Sequence, residues 1–212
     1  MGICDGRVVI ITGAGRGLGA AHARAFAAEG AKVVVNDVGA SLTGEGNDIS
    51  PAQEVVNDII AAGGEAITNS DDISDWDGAG NLVRAAIDTF GGLDTVVTNA
   101  GIVRDRMFVN MTVDDWDAVM RVHLRGTFCP VKHAVEYWRA ESKAGNQREA
   151  RIVTTSSGAG LMGSLAQTNY SAAKAGIATF TINIAAELGR IGVTANSIAP
   201  SARSRMTEDA FP

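Results

Sequence analysis

Cysteine is nearly missing from this chain: Cys4 and Cys129 are the only two, and neither belongs to a C-x-x-C pattern or to a cluster with histidines. That excludes a disulfide framework and a thiolate-bound structural metal, and it fits a reducing compartment. Runs of basic residues are lacking as well. With a formal net charge of −6 and a pI near 5.0, the chain has no concentrated positive face for a phosphate backbone, so no nucleic-acid partner is expected. No apolar stretch approaches the roughly 20 residues that cross a bilayer. The opening MGICDGRVVIITG has neither the charged start nor the cleavage pattern of a secretory leader, and Gly6 stands where a myristoylation signal requires Ser or Thr. A soluble, cytoplasmic protein without a membrane partner is the expectation. Aromatic residues make up only 5% of the chain and the tyrosines number two, so the place of each one carries information.

What is present is an alternation. Short β-branched runs at 7–12, 31–37, 65–69, 93–100, 150–157 and 192–199 read as six strands, and segments of helical period run over 18–29, 52–62, 76–90, 113–140 and 169–189. Nearly continuous apolar strands separated by helices predict an α/β fold of Rossmann type, a doubly wound parallel sheet covered on both faces. At 212 residues, with 46% apolar and 20% charged residues, the chain has the size for one domain spanning 1–212. Two polar loops, GASLTGEGNDIS at 39–50 and AESKAGNQREA at 140–150, lengthen their connections and are expected to be solvated insertions.

The 25 glycines are not scattered evenly. In TGAGRGLG, Gly13, Gly17 and Gly19 follow the first strand and open a helix with the spacing G-x-x-x-G-x-G. Glycine there lets the backbone approach a pyrophosphate, and the helix start offers unpaired N–H groups and the positive end of its dipole. Asp37 ends the second strand about 20 residues later, where an acid can bind both ribose hydroxyls of an adenosine and repel a 2′-phosphate. NAD is therefore expected over NADP, with Arg16 in the loop as the one feature that softens the choice. Far downstream, NYSAAKAG places Tyr170 and Lys174 one helical turn apart among small residues, on one face.

Taken together, TGAGRGLG, TNAG at 98–101, Ser157 and YSAAK resemble the short-chain dehydrogenase/reductase family, and the match runs through essentially the whole chain. The resemblance implies an oxidoreductase that interconverts a secondary alcohol and a ketone with NAD(P). It assigns Gly13, Arg16, Gly17, Leu18 and Gly19 to the dinucleotide, Asp37 to the adenosine ribose, and Asp72 and Ile73 to the adenine. Asn99, Ala100 and Gly101 are implied beside the adenine ribose, and Thr155 and Pro200 at the nicotinamide end. Ser157, thirteen residues before Tyr170, is the implied substrate-oxygen ligand, and Tyr170 with Lys174 forms the proton-transfer pair that also meets the nicotinamide ribose.

One position departs from the family pattern. His123 in VHLRG stands where the family commonly has asparagine, whose backbone carbonyl holds a water that links the lysine to solvent. A backbone role survives a side-chain change, so His123 is expected to keep the relay and to add a ring.

The longer pattern, with the extended loop after Asp37, looks like the branch containing the (3R)-hydroxyacyl-CoA dehydrogenase domain of peroxisomal multifunctional enzymes and bacterial relatives acting on CoA thioesters. The alternatives left open are a 3-oxoacyl carrier-protein reductase, a steroid or cyclic alcohol dehydrogenase, and a non-catalytic NAD-binding scaffold or sensor. A homodimer or homotetramer is implied, and the NAD preference points toward oxidation. Relatives continue past SRMTEDAFP with a seventh strand. The expectation is a chain that is truncated or lacks that strand, with the segment from Arg203 onward matching part of a substrate lid.

Proton transfer explains the Tyr-Lys pair chemically. A free tyrosine, with a pKa of about 10, is a poor base at neutral pH. A lysine one turn away favours tyrosinate by its positive charge, and Ala172, Ala173, Ala175 and Gly176 leave room for a cofactor beside the helix.

Overall fold

Val8–Thr12 (β1) is buried at all five positions, which requires neighbours on both edges and cover on both faces. The structure, a computed structural model, describes residues 2–41 and 43–202 and supplies both. The other strands are Lys32–Asn36 (β2), Glu65–Asn69 (β3), Thr95–Thr98 (β4), Ala150–Thr155 (β5) and Val193–Ile198 (β6). They form one parallel sheet in the order β3-β2-β1-β4-β5-β6. All six expected strands are present; β3 keeps its expected bounds, and the other five are shortened by one to four residues as the chain leaves the sheet.

Alternation along the strands sorts the side chains into two cores. Val8 and Ile10 join Val34, Val96 and Ile152 beneath Trp76–Phe90 (α3) and Gly126–Lys143 (α5), with Thr168–Leu188 (α7) adding Phe180 and Ile184. On the opposite face, Val9 and Ile11 join Val33 and Val35 beneath Gly17–Ala28 (α1) and Ser50–Ala61 (α2). Each such side chain contributes about 1.5–3 kcal/mol by leaving water. Trp138, 1% exposed, still satisfies its indole by donating to the Leu93 carbonyl at 2.7 Å. Local signals fix the helix ends: the Asp75 carboxylate caps α3 by accepting from the Gly78 amide at 2.8 Å, and Gly91 closes it with φ 80°.

The segment 113–140 departs from the expected continuous helix. Val113–Met120 (α4) starts with a capping box of Thr112 and Asp115, a π turn follows over Arg121–Arg125, and α5 restarts at Gly126. The Gly126 amide reaches back five residues to the Arg121 carbonyl. Pro130 lies inside α5 and has no N–H to give to the carbonyl one turn earlier. The turn widens around His123, which is 1% exposed. A short helix, Gly158–Met162 (α6), completes the set.

Between β1 and β4 the strand order reverses, and the carboxyl ends of these strands open into a cleft, as at the switch points of other doubly wound sheets. In the loop at 39–50, residues 41 and 43–50 are exposed as expected, but Gly39 is buried, and Ala40, Ser41 and Gly44 wall this cleft. The Arg104 Nε holds it by donating to the Thr43 carbonyl at 3.2 Å. Nor is the loop at 140–150 only an overhang, because Arg148 pairs with Asp94 at 2.9 Å. The segment from Arg203 onward lies outside the described residues. Among the described residues no helix is long and apolar enough to cross a membrane.

Candidate active site

The cleft encloses about 640 Å³. Gly13, Arg16, Gly17 and Leu18 line it from the glycine loop, Asp37 from the end of β2, Asp72 and Ile73 from the end of β3, and Asn99, Ala100 and Gly101 from the end of β4. Gly19 lies beneath: a Cβ there would stand 2.2 Å from the Gly13 carbonyl oxygen and 2.6 Å from Asn99 Nδ2. Asn99 in turn braces the loop, donating to the carbonyls of Thr12 and Gly13 at 3.1 Å each. At Gly17, with φ 54°, nothing lies within 4 Å of a built Cβ, so the loop faces open space there.

These features meet what a dinucleotide needs. No side chain caps the start of α1, which leaves its first N–H groups for an anion. The Asp37 carboxylate spends one oxygen on the Gly15 amide at 2.9 Å and the other on the Gly39 amide at 2.8 Å. Each oxygen keeps a lone pair for a ribose hydroxyl. Asp72 is more heavily engaged: Oδ1 accepts from the Ser74 amide and hydroxyl at 2.8 and 2.6 Å, and Oδ2 pairs with Arg121 at 2.7 Å.

Ser157, Tyr170, Lys174, His123, Thr155 and Pro200 do not line the cleft itself. The first five form a second cluster behind its Gly101 wall, and Pro200 is half-buried just past β6. Lys174 is 3% exposed and its Nζ donates to the Thr155 carbonyl at 2.7 Å while lying 5.5 Å from the Tyr170 ring. Burial pulls its pKa down from 10.5 to about 7. The same burial pushes the Tyr170 phenol up, and the neighbouring Ser157 hydroxyl opposes that. In the protein alone desolvation therefore dominates the phenol, and the expected depression by Lys174 is not among the influences on it. The Thr155 hydroxyl is buried without a hydrogen-bond partner among the described residues, a polar atom left for a ligand at this end.

The His123 ring connects the two clusters. Its Nε2 meets the Ile102 carbonyl at 2.8 Å and amide at 3.2 Å, its edge meets the Tyr170 ring 5.2 Å away, and a Cβ on Gly101 would stand 2.4 Å from its Cε1. Burial, and next the charge of Lys174, push its pKa from 6.5 to about 3. The ring is therefore neutral at any pH where the protein works.

That neutrality has a measurable cost in acid. A histidine depressed on folding binds its proton in the unfolded chain first, so stability falls as pH drops from 6.5 toward 3, by about 1.4 kcal/mol per unit. Lys174, half-titrated near pH 7, adds the same slope to both proteins, so it cancels in the comparison. Denaturant unfolding at pH 7 and pH 5 is expected to show that wild type loses about 2 kcal/mol more than His123→Asn over that interval. Equal losses would mean that the ring is protonated in the fold.

Two contributors were not foreseen from the sequence. Asn169, fully buried, accepts from the Tyr170 amide at 2.8 Å and donates to the carbonyls of Arg104 and Asp115 at 3.1 Å each, so it pins the start of the tyrosine helix. Ser156 donates to the Lys174 carbonyl at 2.8 Å. The only available sign was their position beside Tyr170 and Ser157; their partners lie far away in the chain.

Comparison with known proteins identifies the family and relatives of the chain. A family model described as short chain dehydrogenase matches residues 7–210. Hydroxyacyl-CoA dehydrogenase ChsB1 of Mycobacterium tuberculosis is 48% identical over 213 residues, covering 98% of this chain and 64% of that protein. Peroxisomal multifunctional enzyme type 2 of Mus musculus is 46% identical over 208 residues, 98% of this chain and 27% of its own length. The chain thus spans only part of these curated relatives. A solved structure of a short chain dehydrogenase from Mycobacterium avium is 60% identical, with a TM-score of 0.90, over 95% of this chain and 72% of that one.

Proposed function

This chain belongs to the short chain dehydrogenase family, and from that premise we propose that it is an NAD-dependent oxidoreductase acting on the hydroxyl of a 3-hydroxyacyl-CoA or a closely related CoA thioester. The observation that carries the reading is the convergence of Ser157, Tyr170 and Lys174, with the Ser157 hydroxyl beside the phenol and the buried Lys174 amine 5.5 Å from the Tyr170 ring. The substrate class is supported by the names of the relatives above. Bound NAD supplies the hydride acceptor and additional positive charge.

In oxidation, Tyr170 takes the proton from the alcohol oxygen, and in reduction it returns one. Ser157 donates a hydrogen bond to the same substrate oxygen and holds it against the phenol. Lys174, anchored on the Thr155 carbonyl, supplies charge beside Tyr170 and donors for the nicotinamide ribose. His123 keeps the ring of Tyr170 seated, and the π turn around it preserves the backbone position through which protons pass toward solvent.

The reading includes a cytoplasmic setting, consistent with Cys4 and Cys129 both being free, and assembly as a homodimer or homotetramer. The apolar groove of Met120, Leu124, Phe128 and Phe180 is a surface such assembly would cover.

Absorbance of NADH tests the substrate. With NAD⁺ and a panel of 3-hydroxyacyl-CoA, sterol-derived and cyclic alcohols, the CoA thioesters are expected to give the highest kcat/KM. Faster turnover of a cyclic or sterol alcohol would replace the substrate class. Asp37→Ala is expected to weaken NAD binding about tenfold or more, the value of hydrogen bonds to a charged acceptor, and to relax discrimination against NADP. An unchanged ratio of the two affinities would reject the ribose role of Asp37.

A further inference from the structure

Asp37 is not the only acid that bears on the preference for NAD, because the loop after β2 brings a second carboxylate against the Arg16 side of the cleft. Asp48 Oδ2 lies 3.4 Å from Arg16 Nη2. Arg16 lines the cleft at the turn into α1, one residue after Gly15, whose amide holds Asp37. Its guanidinium is a cation well placed for a 2′-phosphate, and that would work against the choice Asp37 makes.

The position of Asp48 is built rather than incidental. The Gly39 amide donates to Asp37 Oδ1 at 2.8 Å, and the Gly39 carbonyl accepts from the Asp48 amide at 3.0 Å, so one residue ties both acids to the end of β2. Gly39 has φ 74°, and a Cβ there would fall 2.3 Å from the Asp48 backbone, so only glycine permits this approach. At the other end, Asp48 Oδ1 accepts from the Ser50 amide at 3.0 Å and from the Ser50 hydroxyl at the start of α2. These hydrogen bonds, with the charge of Arg16, hold its carboxyl below the usual range and keep it ionised.

We propose that Asp48 is a cofactor-specificity residue: by pairing with Arg16 it occupies the cation that would receive a 2′-phosphate. The inference rests on the reading that the cleft takes NAD. The pair is solvent-exposed, so it contributes little to stability. Its effect is selectivity, because a 2′-phosphate loses the cation that would partner it, whereas an unphosphorylated ribose has no need of that cation.

Calorimetric titration of NAD⁺ and NADP⁺ into wild type, Asp48→Asn, Arg16→Ala and the double variant tests this without turnover. Asparagine can still accept from the Ser50 amide, which keeps the loop in place. Asp48→Asn is expected to bind NADP⁺ about tenfold more tightly, as expected from freeing one screened cation for a phosphate, with NAD⁺ affinity within about threefold of wild type. Adding Arg16→Ala should erase the gain. A wild-type preference for NAD⁺ that Asp48→Asn leaves intact would overturn this proposal alone, as would a gain that survives Arg16→Ala. Equal binding of the two dinucleotides by wild type would overturn the reading of Asp37, and this proposal with it.

Discussion

Replacing Tyr170 with phenylalanine is expected to lower kcat by about 10²–10⁴-fold, the range attributed to a positioned acid–base group, while dinucleotide affinity changes by less than about tenfold. The substitution is narrow. Phenylalanine keeps the ring that meets His123 edge-on at 5.2 Å and the backbone amide that Asn169 holds, so the helix start and the packing survive. What goes is the phenol oxygen beside Ser157. Because burial raises the phenol's pKa in the protein alone, that oxygen begins as a proton holder and becomes a base only as positive charge gathers beside it. Oxidation should accordingly speed up as pH rises through the pKa of the loaded site, and reduction should slow. Measured kcat for both directions, alongside dinucleotide Kd, checks the assignment. Turnover within tenfold of wild type in the variant would remove Tyr170 from the chemistry.

The parts of this molecule that were legible in the sequence are those encoded within a few residues. The strand Val8–Thr12 shows as a β-branched run because a fully buried parallel strand has no polar side to break it. The glycine loop shows because Gly13 and Gly19 must admit backbone at contact distance. The π turn around His123 was hidden for a physical reason. One added residue shifts the helical period by about 100°, which a window of Ala, Val, Arg and Leu on either side absorbs without a visible break. Asn169 was hidden for another. It looks like an ordinary residue beside the tyrosine until the fold brings Arg104 and Asp115, 65 and 54 positions away, to its amide. Likewise the loop at 39–50 has the composition of a solvated insertion, and only the packing of Gly44 near Ile102 makes it a wall of the cleft.

Gly19→Ala is the substitution expected to cost the fold and the cleft most together. Its added methyl would lie 2.2 Å from the Gly13 carbonyl oxygen and 2.6 Å from Asn99 Nδ2. Neither neighbour can retreat cheaply, because Asn99 is bonded to the Thr12 and Gly13 carbonyls and Gly13 would itself move toward the Ala100 backbone. Relief has to come from shifting α1 off the sheet, which moves the uncapped helix start away from the pyrophosphate position. We expect a loss of about 3 kcal/mol, at the upper end of overpacking costs, and a dinucleotide affinity reduced by about 100-fold. Two further glycines grade the argument. Gly17→Ala meets no atom within 4 Å but must hold φ 54°, so its cost is the left-handed backbone alone, about 1–2 kcal/mol. Gly189→Ala meets nothing and sits at φ −53°, where alanine is at least as favourable. Denaturant midpoints for the three variants should fall in that order, Gly19→Ala lowest and Gly189→Ala at or above wild type. A Gly19→Ala protein as stable as Gly189→Ala would show that α1 can recede from the sheet at no cost, and close contact would then not be what places glycine at the cradle.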